Sequence, residues 1–215
     1  AQGSFARNDD SDYSDLELIA FVKEIPEGHQ GIGKIRDGLL IEIFWTTREK
    51  YIAETLEITE DWHISGSDKL LPIINAEFIN ELSSYRAENL KEKCLAEARK
   101  HWHEVQESTA KLLNAIAAEN RAGIPLVLFD MTRHFLISLS LLNQTPYTTF
   151  SRFVSEARRF EIKPQGFADL LDIIVKGEYQ DLRRLEKTVV STFSQLENIY
   201  ENVGVELYDD KIDLN

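Results

Sequence analysis

Apolar positions fall into two regimes along this chain. Up to about residue 46 they come in short β-rich runs, Leu16-Glu17-Leu18-Ile19-Ala20-Phe21-Val22 and Leu39-Leu40-Ile41-Glu42-Ile43-Phe44-Trp45. Each is bounded by turn residues, which predicts buried strands over 16–23 and 39–45. Between them, Pro26, Gly28, Gly31 and Gly33 predict a loop or hairpin connection over 24–33, and Asp37-Gly38 is a turn signal. After Trp45 the period lengthens to that of a helix. The spacing predicts helices over 47–57, 76–86 and 88–121, the last ending near Gly123. Pro125 suits the first position of a strongly apolar helix reaching Leu142. Pro146 marks a turn, and further helices are expected over 148–160, 164–175 and 180–202, before a short acidic tail. Residues 61–72 read as a loop.

This order of elements predicts an α+β fold that is mainly helical. A small mixed sheet with helices over 1–73 is followed by a helical bundle over 74–215. Helical content above one half exceeds the usual share.

Composition narrows the function classes. Of 215 residues, 43% are apolar and 28% charged, ordinary for a globular protein with a real core. No apolar run approaches the roughly 18 residues of a membrane span, and no leader pattern precedes residue 15. The expectation is a cytoplasmic protein that makes no use of a membrane. Cys94 is the sole cysteine, which excludes an internal disulfide and a cysteine-built zinc site. The net charge of −13 repels phosphate backbones, so no nucleic acid partner is expected. The same charge attracts cations, whether metal ions or amine-bearing small molecules.

The candidate chemistry lies at the start. Asp15 and Glu17 stand two apart, and side chains at that spacing on a strand leave the same face. Carboxylates in an apolar strand are costly unless paired or bound to metal. Glu42, in the second strand, would join them if the strands are neighbours. Such oxygens suit magnesium, which favours a few carboxylates plus substrate phosphates. Gly3 permits a tight turn, and the Ser4 hydroxyl with the following N–H groups can hold phosphate oxygens. Arg7 would add a charge-assisted contact. Taken singly, a Gly-Ser dipeptide or an Asp-x-Glu is an ordinary turn or solvated face; the combination is rarer.

Gly3-Ser4-Phe5-Ala6-Arg7, a polar stretch, then Tyr13-Ser14-Asp15-Leu16-Glu17 resembles the signature of the polymerase-β-like nucleotidyltransferases. Within them it looks most like the aminoglycoside nucleotidyltransferases of the kanamycin nucleotidyltransferase type. Glu17 as the second acid, Asp61-Trp62 with Leu71-Pro72-Ile73, and Pro146-Tyr147-Thr148-Thr149 carry that likeness. The resemblance implies Ser4 on the triphosphate of ATP or another nucleoside triphosphate, and Asp15, Glu17 and Glu42 on magnesium, two ions in all. It implies a helix glutamate as base and a lysine near the phosphates. Glu107-Ser-Thr-Ala-Lys111-Leu-Leu-Asn114 has a similar pattern on one helix face, with Glu104 beside it as the other candidate base. The partners implied are a nucleotide, a small cationic acceptor and a second copy of the chain in a homodimer. Two other readings stay open: an enzyme that modifies a protein, as in antitoxin-like relatives, or a truncated, non-catalytic member acting as a binding or dimerisation module, which the missing N-terminal strand suggests.

The chain departs from the family at two places. Asn8 stands where a glycine is usual, and asparagine tolerates the left-handed conformation that the turn needs. Only Ala1 and Gln2 precede Gly3, where the family has a helix and a strand; the expectation is a fragment or truncated product. His101 and His103 do not share a helix face, so no joint metal site is expected. His63 reads as a loop histidine and His134 as a satisfied core histidine.

Overall fold

The computed structural model describes residues 1–25, 31–63 and 70–207. The chain divides into two compact units, one of Ala1–Ile58 with Ser65–Glu88, the other of Thr59–Ile64 with Asn89–Asn215. The α+β, mainly helical architecture is the one expected from the sequence.

The first unit holds the sheet. Strands β1 (Leu16–Phe21), β2 (Gly31–Arg36) and β3 (Leu39–Thr46) lie in the order β1-β3-β2. β1 pairs parallel with β3, and β2 pairs antiparallel with it, so the sheet is mixed. Arg36 faces Leu39 across Asp37-Gly38, both with positive φ (53° and 83°), which is the two-residue hairpin turn that matches strand twist. β2 falls partly within the expected loop. Its Gly31 has a packing reason: a Cβ there would sit 3.0 Å from the Phe44 ring. The strands are also less buried than their apolar character predicts. Every residue of β1 is half-buried, and β3 is half-buried or exposed until Thr46.

Helices α1 (Gly3–Arg7), α2 (Arg48–Leu56) and α3 (Ala76–Leu82) complete the unit. Thr47 caps α2 by accepting a hydrogen bond from Lys50 N at 3.1 Å. Phe21, at the end of β1, meets Tyr51 of α2 and Phe78 of α3 edge-on, both at 5.3 Å between ring centres. Arg48 joins α2 to α3 through Glu81, at 2.5 Å, and donates to the Tyr85 hydroxyl at 3.0 Å.

The second unit is helical: α4 (Leu90–Ala117), α5 (Ile124–Leu142), α6 (Phe153–Ala157), α7 (Phe167–Lys176) and α8 (Leu182–Asn202), with a 3-10 turn at Glu60–His63. The helix expected over 148–160 is broken, a 3-10 turn at Phe150–Arg152 leading into the short α6. α5 is the one helix among the described residues with the length and apolarity of a membrane span. Asp130, Arg133 and His134 interrupt it, and 67% of its most apolar window is buried inside the protein. That burial accounts for its composition: from Leu136 to Leu142 every side chain is buried.

The core centres on Trp102 of α4, stacked on Phe193 at 5.2 Å and against Tyr200 at 4.7 Å, both from α8. The Tyr200 hydroxyl donates to Ser138 Oγ on α5 at 2.9 Å, and both residues are fully buried. Burial pushes the phenol far above its ordinary range, so it stays a donor. Removing one partner strands the other in the core. Tyr200→Phe is expected to lower stability by about 1–3 kcal/mol in urea unfolding. Adding Ser138→Ala should then cost less than its effect alone. Simple additivity in that double-mutant cycle would show that the bond contributes nothing specific.

Candidate active site

Gly3 has φ +69°, a conformation an L residue adopts only with strain. Space excludes a side chain as well: a Cβ at Gly3 would lie 1.7 Å from Glu17 Oε2. The Glu17 carboxylate therefore packs against bare glycine backbone. α1 starts at that glycine, carries Ser4, and ends at Asn8, whose φ of 61° and ψ of 41° are left-handed. Asn8 thus adopts the left-handed conformation that this turn needs. Asp9 N closes the turn on Ser4 O at 3.1 Å. Gln2 N donates to Glu17 O at 3.0 Å, and Ala1 exchanges hydrogen bonds with Leu71, so residues 1 and 2 lie along the outer edge of β1.

The parallel register sets Glu17 level with Glu42, with Gly33 of β2 on the other side of Glu42. Asp15 stands one residue before β1 rather than inside it. The crowding has an electrostatic signature. Burial pushes the Glu17 carboxyl up, the charges of Asp15 and Glu42 push it further, and a hydrogen bond from the Gln2 side chain and the charge of Arg7 oppose them. Three carboxylates thus share one neighbourhood with too little positive charge to balance them. Arg7 is engaged locally, its Nε donating to Asp9 Oδ2 at 3.4 Å. Ser4 Oγ makes no hydrogen bond among the described residues.

The structure thus brings Gly3, Ser4, Asp15, Glu17 and Glu42 into one region of the first unit. Among the described residues no group of three His, Cys, Asp or Glu side chains is placed to hold a metal ion. The donors are nonetheless all hard oxygens, and the charges of Asp15 and Glu42 repel that of Glu17. That chemistry fits magnesium, which keeps water and substrate oxygens in its shell, better than a closed protein cage.

Glu107 and Lys111 belong to the second unit. They form an i, i+4 ion pair on α4, Nζ to Oε1 2.9 Å, each side chain about half exposed. The hydrogen bond from Lys111 pulls the Glu107 carboxyl down, and Glu107 raises Lys111 in return. Glu104 lies one turn earlier, Oε1 2.9 Å from His103 Nε2 and Oε2 3.9 Å from His134 Nε2. At the other end of β1, a cavity of about 430 Å³ is lined by Phe21, Val22, Lys23, Arg48, Glu49, Asn75 and Phe78, none of them an expected site residue.

Residues 79–206, well over half of the chain, match the KNTase C-terminal domain family. The chain belongs to that family. This KNTase C-terminal domain match takes in α4 with Glu107 and Lys111 and runs through α8, and it leaves Gly3 to Glu42 outside. Membership puts the chain among nucleotidyltransferase-like proteins. No curated protein matches it. Among solved structures, a nucleotidyltransferase-like protein from Exiguobacterium sibiricum 255-15 aligns with a TM-score of 0.47 and 12% identity. The alignment covers 86% of this chain and 61% of that one, so the chain spans about three fifths of its length.

Local sequence did not reveal three participants. Gln2 touches Glu17 by backbone and side chain, Asp9 takes Arg7, and His134 faces Glu104 from another helix. Only Asp9 had a nearby signal, a carboxylate two residues from an arginine.

Glu17 gives the site a measurable sign. Its folded-state value is raised above the ordinary 4.5, so the folded state binds that proton more tightly than the unfolded chain does. Stability therefore falls as pH rises from the ordinary value through the raised one. Glu17→Gln in chelator is expected to raise the unfolding free energy measured in urea at pH 7, by under about 1 kcal/mol after solvent screening, and to leave it unchanged at pH 4. Gly3→Ala should destabilise by about 1–3 kcal/mol through strain and displacement of Glu17. A neutral Gly3→Ala would mean that Glu17 does not rest on Gly3.

Proposed function

We propose that this protein transfers a nucleoside monophosphate from a nucleoside triphosphate, ATP foremost, to a hydroxyl of a small cationic acceptor such as an aminoglycoside. The observation that carries the reading is the level pairing of Glu17 and Glu42, with Asp15 adjacent, around Gly3-Ser4. Family membership of the remaining chain supports it independently.

Each residue has a role under this reading. Ser4 Oγ and the backbone N–H groups of its turn hold phosphate oxygens. Asp15, Glu17 and Glu42 hold magnesium, two ions in all, whose charge when bound neutralises the triphosphate and the departing pyrophosphate. Glu107 accepts the proton of the acceptor hydroxyl; the Lys111 hydrogen bond pulls its proton affinity down, so it acts as base once that bond is released. Lys111 fixes that carboxylate and presents a positive charge towards phosphate. Arg7 orders the turn through Asp9 and supplies charge near Glu17. The rate gain comes from positioning and charge neutralisation rather than covalent chemistry. The net charge of −13 favours an amine-rich acceptor. A second copy of the chain is the proposed protein partner.

One observation favours a second reading. The carboxylates do not form a three-donor group among the described residues, which suits a member that binds nucleotide without transferring it. Incubation with radiolabelled ATP, magnesium and an aminoglycoside panel separates the two. Label is expected on the small acceptor, and Asp15→Asn or Glu17→Gln should cut the rate roughly 10²- to 10³-fold. Glu107→Gln should lower turnover while nucleotide affinity holds. Label on a lysate protein instead would identify a protein-modifying enzyme; a nucleotide-induced thermal shift without transfer would identify the binding module.

A further inference from the structure

Away from those residues, the second unit buries a pair of histidines. His101 of α4 is 2% exposed and His134 of α5 is 5% exposed. His134 Nδ1 lies 3.2 Å from His101 Nε2, the rings 5.0 Å apart between centres. The neighbours fix where the protons sit. Arg133 is always a donor, and its Nη2 stands 3.2 Å from His134 Nε2. His134 Nε2 therefore accepts, and in the neutral ring Nδ1 carries the hydrogen. That hydrogen is donated to His101 Nε2, which leaves the His101 hydrogen on Nδ1. Nδ1 faces Glu60 Oε2, 3.7 Å away on the 3-10 turn. One tautomer of each neutral ring satisfies this chain, Arg133 to His134 to His101, pointing on to Glu60.

An added proton has no place in that arrangement. On His134 Nε2 it would meet the Arg133 guanidinium; on His101 Nε2 it would meet the hydrogen of His134. Carboxylates stand close by on every element that packs there. Glu60 is on the turn, Glu104 is 3.9 Å from His134 Nε2 on α4, and Asp130 is 3.5 Å from it on α5. They attract the proton, but burial and the Arg133 charge outweigh them and hold His134 below its ordinary value. Protonation thus requires a link to break. Once broken, the imidazolium gains most by turning to the exposed carboxylates.

We propose that the His101–His134 pair is a pH-sensitive clasp that holds α5 and the Glu60–His63 turn to α4 when both rings are neutral and releases them on protonation. That turn, α4 and α5 all belong to the second unit.

Hydrogen exchange and imidazole nitrogen NMR on the full chain test this. Above pH 7, both rings should be neutral with the hydrogen on Nδ1. Below pH 6.5 the opening of residues 59–63 and of α5 around His134 should increase about tenfold per pH unit, after correction for intrinsic exchange, because opening takes up one proton. His101→Gln/His134→Gln should abolish that dependence. The same pH slope in the double variant would overturn the proposal. So would imidazolium signals from either ring at pH 7.5 in the wild type, a reading that does not depend on the variant folding.

Discussion

The first unit depends on one contact, the Glu17 carboxylate lying on the bare backbone of Gly3. It sets the conformation of Gly3, since any Cβ would collide with Oε2. It therefore bears on where α1 begins. It also draws Gln2 onto the β1 edge, because the Gln2 N–H bonds the carbonyl of the same glutamate. The parallel pairing of β1 with β3 then places Glu42 at the same level. A slip of one residue in that register would send Glu42 to the opposite face. Packing and register together create a charge problem that neither strand has alone, and a cation is the cheapest way to resolve it.

The second unit is organised on the opposite principle. Its buried tyrosine hydroxyls are satisfied within the core, although the indole Nε1 of Trp102 is buried without a partner among the described residues. Tyr200 ends on Ser138, and Tyr147 donates to Leu136 O at 2.8 Å. Its exposed α4 face is paired as well, Glu107 with Lys111 and Glu104 beside His103. This contrast separates scaffold from site. Stability resides in a helical core with satisfied hydroxyls, while the sheet unit keeps half-buried strands and unbalanced carboxylates, an arrangement that costs stability unless something binds.

Sequence made the helical half legible because long stretches without breakers admit few alternatives. α4, α5 and α8 start and end within four residues of the expected bounds. β1 and β3 were legible from their apolar runs, and the hairpin turn from Asp37-Gly38. β2 was not, since Gly31 and Gly33 look like loop residues until Phe44 is known to cover Gly31. Nor was the exposure of the strands, which a run of Leu and Ile cannot report. At the candidate site, the closeness of Gly3 to Glu17 and of Glu17 to Asp15 and Glu42 agrees with what spacing suggested. The contact between Arg7 and Asp9 was not anticipated. His101 and His134 stand 33 residues apart, and no local pattern joins them.

The two halves bear on function through separate observations. Residues 79–206 carry the family match, and none of the strand carboxylates lies within them. Gly3 to Glu42 carry a geometric argument that owes nothing to that match. A helical bundle of this family could have been joined to any sheet. The sheet in this chain has Glu17 and Glu42 at one level on parallel strands beside a glycine-serine turn, the arrangement on which the proposed phosphoryl transfer rests. Neither half implies the other by packing or by composition, so their agreement weighs more than either alone.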